Sequence, residues 1–157
     1  MTETIYIETS ILGYLTARSS QDLIVAANIE VTREWWDTRR SVFALYTSQA
    51  VARETAQGDA QIANQRLEII RNITFLDLNQ AVFELAEQFL ARSSLPAKAN
   101  IDAIHIAAAT VHSMDYLLTW NCKHIANAQI QRKLAMISYD FGYELPILCT
   151  PYELLGG

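Results

Sequence analysis

The chain has 157 residues, of which 51% are hydrophobic and 18% charged, and its net charge is -5 at pH 7. This length and apolar content suit one well-packed domain, expected over residues 1–157, and no apolar run reaches the roughly 18 residues that a membrane-spanning helix needs. The acidic balance gives no chain-wide signature of nucleic-acid binding, so any such contact has to be local.

The first part of the chain alternates short apolar runs with helical periodicity. Ile5-Tyr6-Ile7 predicts a strand, and Thr9-Ser10 predicts the cap of a helix that begins near Ile11. A helix is predicted over residues 21–40, a strand over 42–46, and helices over 49–57 and 60–71. The expected core-facing row of the 21–40 helix consists of Ile24, Ala27, Val31, Trp35 and Thr38.

The second part continues the alternation. A weaker β-like run covers residues 73–78, helices are predicted over 80–91, 99–113 and 123–136, and strands over 116–119 and 147–149. The expected buried face of the 99–113 helix consists of Ile101, Ile104, His105, Ala108, Val111 and His112. Thr150-Pro151-Tyr152-Glu153 matches a capping box with proline at the first helical position. The pattern predicts an α/β layer fold with a mostly parallel sheet, whose ligands bind beyond the carboxyl ends of the strands.

Three acids are expected to reach that side of the sheet, two of them from predicted element ends. Asp102 opens the apolar 99–113 helix, where a lone carboxylate costs several kcal/mol unless it is paired, hydrogen-bonded or bound to a metal. Glu8 ends the first strand, and Glu54 lies on the helix after the second strand. Converging carboxylates repel one another unless a cation neutralises them, and oxygen ligands favour Mg²⁺ or Mn²⁺ over Zn²⁺. The acids therefore predict a metal site.

Each candidate also has an ordinary structural interpretation. Glu8 could be a solvated strand end, Glu54 an exposed helical glutamate, and Asp102 a first-turn acid that accepts from backbone N–H groups. His105 lies one turn after Asp102 and is interpreted as a core histidine that makes one or two hydrogen bonds. Arg53 is adjacent to Glu54 and is a candidate RNA phosphate contact, although surface cations are usually just solvated.

The remaining polar features bear on localisation and zinc. The acidic Glu3 and a strand pattern stand where a secretory signal would have a basic start, so a cytoplasmic protein is expected. Cys122 and Cys149 form no CxxC pair and are expected to be reduced thiols. Their spacing with His124 matches no common structural zinc site.

The order of these segments resembles a PIN-domain ribonuclease, above all the VapC-like toxins of bacterial toxin–antitoxin pairs. The matching segments are Ile5-Tyr6-Ile7-Glu8-Thr9-Ser10, Glu54, Asp102-Ala103-Ile104-His105-Ile106-Ala107, Leu118-Thr119-Trp120-Asn121 and Thr150-Pro151-Tyr152-Glu153-Leu154. The resemblance covers nearly the whole chain. It implies a three-layer α/β/α sandwich and a metal-dependent endoribonuclease that hydrolyses phosphodiester bonds in RNA.

The resemblance also implies which residues form the active site. Glu8, Glu54 and Asp102, with the neutral Asn121 near a fourth position, would hold one or two Mg²⁺ or Mn²⁺ ions, and Thr9, Ser10 and Thr119 would orient water at the metal. The first acid is commonly aspartate in this family, whereas Glu8 is one methylene longer. Asn121 supplies no charge, so the site rests on three acids.

The implied partners are an RNA substrate, a small antitoxin that blocks the acidic site, and a second copy of the chain in a homodimer. Two alternatives remain open on the sequence alone. One is a non-catalytic PIN-like interaction module with a decayed site. The other is a metal-dependent DNase or RNA-processing nuclease outside toxin biology, which would use the same chemistry on a different substrate.

Overall fold

A five-stranded parallel sheet forms the centre of the computed structural model, which describes residues 1–156. Its strands are β1 (Thr4–Ile7), β2 (Ala44–Ser48), β3 (Thr74–Leu76), β4 (Tyr116–Leu118) and β5 (Ile147–Cys149). Their order across the sheet is β3-β2-β1-β4-β5, and every neighbouring pair is parallel. The predicted mostly parallel sheet is therefore confirmed.

Helices cover both faces of this sheet. They are α1 (Thr9–Leu15), α2 (Leu23–Thr38), α3 (Gln49–Thr55), α4 (Ala60–Ile70), α5 (Gln80–Arg92), α6 (Asn100–Val111) and α7 (Ala128–Asp140). Right-handed crossovers place the helices between β1 and β3 on one face and those between β3 and β5 on the other. The packing agrees, since α1 contacts α2, α3 and α4, whereas α5 contacts α6 and α7. This arrangement is the predicted three-layer α/β/α sandwich.

The core lies on both sides of the central strand β1 and its neighbour β4. Ile5, Tyr6 and Ile7 of β1 are buried, as are Leu117 and Leu118 of β4. Most buried apolar side chains of the described residues form one connected cluster, and Ile29, Ala50 and Ala63 lie outside it. Within residues 1–156, no helix is both long enough and apolar enough to cross a bilayer. The assignment of the full chain to one domain stays a prediction.

Two predicted helix starts are wrong. The first helix begins at Thr9, and Glu8 caps it because its carboxylate accepts from the backbone N–H of Ser10. The last long helix begins at Ala128, not at residue 123, and Asn127 is its N-cap. The backbone before it turns instead, since the Asn121 carbonyl accepts from the N–H groups at positions 125 and 126.

Two predicted buried faces also differ from the structure. In α2 the buried residues are Ile29, Thr32 and Trp35, whereas Ile24 is 74% exposed because the first turn of the helix extends beyond the packed layer. In α6 nearly every side is covered, since the helix packs against α5 and β4 and also contacts α3. Its buried residues are Ala103, His105, Ile106, Ala107, Ala108, Ala109 and Thr110, and Ile101 is exposed.

Short 3-10 helices complete the fold at Arg40–Val42, Ala97–Ala99 and Pro151–Leu154. The last of these carries the predicted capping box, with Thr150 as N-cap and Glu153 as the reciprocal partner. That prediction is confirmed, because both halves of the motif are local in sequence.

Candidate metal centre

The strand order creates a crevice between β1 and β4. The chain leaves β1 toward β2 and β3 on one side and returns through β4 and β5 on the other, so the connections diverge at the carboxyl ends of β1 and β4. Ligands of open α/β sheets bind at such a switch point. Glu8 directly follows β1, and Thr119 and Asn121 follow β4, so the crevice is lined by polar residues that the sequence places there.

Glu8 is held rigidly at the mouth of this crevice. Its side chain is buried, and its Oε1 accepts from the backbone N–H of Ser10 at 3.1 Å and from the Ser10 hydroxyl at 2.5 Å. The Thr119 hydroxyl donates to the same oxygen at 2.6 Å. Because Ser10 lies just after β1 and Thr119 just after β4, the Glu8 carboxylate links the carboxyl ends of these two strands.

Glu54 reaches the same crevice from α3, the helix that follows β2. Its Oε1 accepts from the Thr9 hydroxyl at 2.5 Å and from Nε2 of His105 at 2.6 Å. Burial raises the pKa of the Glu54 carboxyl, but the hydrogen bond and charge of His105, together with the Thr9 hydroxyl, outweigh burial and bring the pKa below its usual range. The carboxylate is therefore ionised at neutral pH.

His105 connects the acids to the interior of the domain. It is fully buried, and its Nδ1 lies 2.7 Å from the hydroxyl of Tyr6 in the middle of β1. That hydroxyl in turn lies 2.7 Å from Oγ of Ser48, the last residue of β2. The interpretation of His105 as a core histidine with one or two hydrogen bonds is confirmed, and the same side chain also contacts a candidate metal ligand.

Ligand atoms of Glu8, Glu54 and His105 all lie within 4.8 Å of one another. The hydrogen bonds described for both glutamates go to Oε1, so within residues 1–156 the two Oε2 atoms accept none. Two converging carboxylates, each with one oxygen that has no protein donor, form a donor set that suits a hard divalent cation. Nε2 of His105 is already engaged by Glu54, so the oxygens are the better ligands.

Asp102 lies outside this three-residue group. Its Oδ1 accepts from the side-chain amide of Asn121 at 3.1 Å, and its Oδ2 lies 3.0 Å from Nδ1 of His124. The backbone N–H of Asn121 donates to the Thr119 hydroxyl, which donates to Glu8. Asp102 is thus connected to Glu8 through Asn121 and Thr119, and its role as a metal ligand stays a prediction.

The three hydroxyls expected to orient water contact the acids directly. Thr9 donates to Glu54, whereas Ser10 and Thr119 both donate to Glu8. The structure therefore gives each hydroxyl a definite contact that fixes a carboxylate. Their action on water stays a prediction.

Sequence reasoning missed three residues of this network: Tyr6, Ser48 and His124. A phenol between two buried isoleucines was a usable signal for Tyr6, because a buried hydroxyl requires a partner. His124 lies three residues after Asn121, and in a turn this spacing brings the two residues close together.

Cys122 is exposed and Cys149 buried, and the described residues place neither in a group of metal-binding side chains with His124.

Two clefts lie at opposite edges of the sheet. The larger, about 1280 Å³, runs along α7 and the segment before β5, with Ala128, Tyr139 and Ile147 in its lining, and none of the candidate acids lines it. A cleft of about 580 Å³ lies at the carboxyl end of β3, and its lining includes Arg53 and two exposed aromatic rings, Phe75 and Phe83. Only the second cleft adjoins the helix that carries Glu54.

Comparisons with known proteins show the fold. No protein-family model matches the chain, and no curated protein does so. The chain is similar to the Mycobacterium tuberculosis toxin VapC20, which cleaves the sarcin–ricin loop, with a TM-score of 0.61 and 15% identity over 76% of this chain and 92% of that one. It is also similar to Rickettsia felis VapBC2 bound to a DNA fragment from its promoter, with a TM-score of 0.55 and 14% identity over 94% of this chain and 98% of that one. The predicted PIN-like fold of the VapC toxins is thereby confirmed.

Proposed function

We propose that this chain is a Mg²⁺- or Mn²⁺-dependent endoribonuclease and the toxin of a toxin–antitoxin pair. The observation that carries the proposal is the pair Glu8 and Glu54, whose ligand atoms lie within 4.8 Å at the switch point of the sheet. The fold adds support, since VapC20 shares it and cleaves an RNA loop. Among the described residues Glu8 has no cationic side-chain partner and Glu54 has only His105, so a metal ion is the natural counter-charge for the pair.

The residues proposed to hold the cation are Glu8, Glu54 and Asp102, with the amide of Asn121 beside them. A divalent cation there would lower the pKa of water and offset charge on the phosphodiester during hydrolysis. Glu8 is fixed by its three hydrogen bonds and Glu54 by two, so the chain supplies preorganised ligands.

The substrate is proposed to enter along the cleft beside α3. Arg53 lines this cleft together with Phe75 and Phe83. A guanidinium pairs with phosphate, and exposed aromatic rings stack on unpaired bases, so the lining suits a single-stranded segment of RNA. The net charge of -5 makes such a local contact necessary, because the chain as a whole repels nucleic acid.

A cleavage assay tests the proposal directly. Purified protein is incubated with labelled RNA and Mg²⁺ or Mn²⁺, with and without EDTA, and compared with Asp102→Asn and Glu8→Gln. We expect EDTA to abolish cleavage and each substitution to reduce its rate at least about 100-fold. The matched control is Asp59→Asn at the exposed N-cap of α4, where asparagine also caps. Cleavage that survives EDTA or Asp102→Asn would refute the metal mechanism.

The engaged state of Asp102 favours one competing proposal, a non-catalytic PIN-like module. Both oxygens of Asp102 are occupied by Asn121 and His124, and Asn121 is neutral. Calorimetric titration with Mn²⁺ separates the two proposals. Heat of binding that disappears in Glu8→Gln supports the nuclease, and a protein that binds no Mn²⁺ at millimolar concentration supports the module.

The proposed partners follow from the toxin assignment. We propose that a small antitoxin covers the acidic crevice, that two copies of the chain form a homodimer, and that the protein works in the cytoplasm on RNA. The VapBC2 structure, whose fold this chain shares, contains promoter DNA, which supports an antitoxin that also binds DNA. Light scattering measures the oligomer, and a panel of tRNA, rRNA, mRNA and single-stranded DNA identifies the substrate and tests the DNase alternative.

A further inference from the structure

A buried row of hydrogen-bonding side chains runs from the end of β2 to the metal centre. Ser48, Tyr6 and His105 are all fully buried, and successive polar atoms are 2.7 Å apart. The row ends where Nε2 of His105 meets Oε1 of Glu54 at 2.6 Å. It joins two strands, one core histidine from α6 and one acid from α3.

For a neutral imidazole, the direction of each hydrogen bond follows from the ionised Glu54 at one end of the row. The ionised Glu54 can only accept, so Nε2 of His105 carries the hydrogen and donates. When the imidazole is neutral, Nδ1 accepts from the Tyr6 hydroxyl, which leaves the Tyr6 oxygen to accept from Ser48. Burial, with the charges of Glu8 and Glu54, raises the pKa of Tyr6 despite the Ser48 contact, so the phenol keeps its proton. At its far end Ser48 accepts from the N–H of Ala50 at 3.2 Å.

Glu54 needs such a restraint more than Glu8 does. Glu8 belongs to the backbone turn that it caps, whereas Glu54 projects from α3, a helix of seven residues, and about a third of its side chain is exposed. Without His105, the Thr9 hydroxyl would be the one remaining protein contact described for its carboxylate. A free glutamate side chain loses rotamer entropy when it binds a cation, and a prior restraint removes part of that cost.

We propose that His105 and Tyr6 are positioning residues for Glu54, which hold its Oε1 and thereby present Oε2 to the cation. This inference rests on the proposed function. It assigns the interior histidine to the metal centre, and it extends the centre to a tyrosine 99 residues away in sequence from that histidine. Partners behind metal ligands commonly change metal affinity by 10–100-fold when they are replaced.

The test measures Mn²⁺ affinity by calorimetry, with unfolding by urea recorded for every variant. Tyr6→Phe keeps the ring in the core and removes one hydroxyl, and we expect it to weaken Mn²⁺ binding about 3–10-fold. His105→Met removes the donor to Glu54, and we expect a loss of about 10-fold or more. His105→Gln keeps an N–H near the position of Nε2, so most of the affinity should return.

A double-mutant cycle separates positioning from simple core packing. In the His105→Gln background the link to Tyr6 is already broken, so adding Tyr6→Phe should not weaken Mn²⁺ binding further. The control is Ser138→Ala, which removes another fully buried hydroxyl that bonds only within α7 and should leave Mn²⁺ affinity unchanged. A packing role would instead lower stability and affinity equally in both backgrounds.

The outcomes distinguish this inference from the proposed function. Suppose that the unmodified chain binds Mn²⁺ and that Glu8→Gln abolishes this binding. Unchanged affinity in Tyr6→Phe and His105→Met would then overturn the positioning role and leave the nuclease proposal standing. A chain that binds no Mn²⁺ at all would overturn both. Weaker binding in His105→Met that His105→Gln restores supports the inference.

Discussion

The hydroxyl of Thr119 is the most informative single group to remove. It is fully buried, donates to the Glu8 carboxylate at 2.6 Å and accepts from the backbone N–H of Asn121 at 2.9 Å. Thr119→Val keeps the side-chain shape and deletes both contacts, together with a longer contact of 3.3 Å to the Ser10 hydroxyl. Glu8 keeps its two contacts from Ser10, whereas the N–H of Asn121 is left without its partner.

The expected cost follows from these two losses. A hydrogen bond to a charged group contributes about 1.5–3 kcal/mol, and a buried N–H left without a partner costs about 1–3 kcal/mol. Because Asn121 is half-buried and water can satisfy part of its need, we expect a total of about 2–4 kcal/mol. With a slope of about 2 kcal/mol/M, the urea midpoint should fall by about 1–2 M.

The matched control is Thr110→Val. Thr110 is equally buried, and its hydroxyl only donates to the Ile106 carbonyl within α6, which keeps its helical hydrogen bond. This substitution should therefore change stability by at most about 1 kcal/mol. Equilibrium unfolding in urea with EDTA measures both variants. If Thr119→Val is no more destabilising than Thr110→Val, the assigned contacts do not hold Glu8 in place.

Three further predictions use the same structure. Iodoacetamide at pH 8 should label the exposed Cys122 well before Cys149, whose pKa is raised to about 12 by burial and the charge of Glu153; equal labelling by mass spectrometry would contradict this. Burial raises the pKa of Glu54, but its hydrogen-bond partners outweigh burial and hold the pKa below the unfolded value of 4.5. The ionised Glu54 carboxylate therefore stabilises the fold above pH 4.5, and this stabilisation is lost as the pH falls through the folded pKa. The stability difference between the unmodified chain and Glu54→Gln, measured in EDTA, should therefore diminish from pH 6 to pH 3, and a pH-independent difference would count against the assignment. Arg53→Ala should raise KM for RNA about 3–10-fold with little change in kcat, whereas Arg71→Ala, at an exposed ion pair with Glu68, should change neither.

Features encoded by neighbouring residues were predictable from the sequence. The strand at Ile5–Ile7, the acid that follows it and the capping box at Thr150 each depend on a few adjacent residues, and the structure has all three. Alternation of apolar strands with helices was enough to predict a parallel sheet, because parallel strands need long crossover connections. The carboxyl edge of that sheet then predicted where polar residues would meet.

Helix ends and faces were less predictable, because they depend on what packs against them. Ile24 has the periodicity of a buried residue, yet the first turn of α2 extends past the layer and leaves it exposed. In α6 the face could not be read from periodicity, since the helix is covered on nearly all sides. The start of α7 was misplaced because the Asn121 carbonyl closes a turn that competes with the helix.

The sequence by itself determined which acids are available: Glu8 follows the first strand, Glu54 lies on the helix after the second strand, and Asp102 opens an apolar helix. Only the tertiary structure decided which of them share a centre. Strand order brings Glu8 and Thr119 together across β1 and β4, and the packing of α6 beside α3 brings His105 to Glu54 and leaves Asp102 with Asn121 and His124. The physical reason is that hydrophobic periodicity specifies an element and its buried side, whereas contacts between residues distant in sequence depend on register and packing across the sheet.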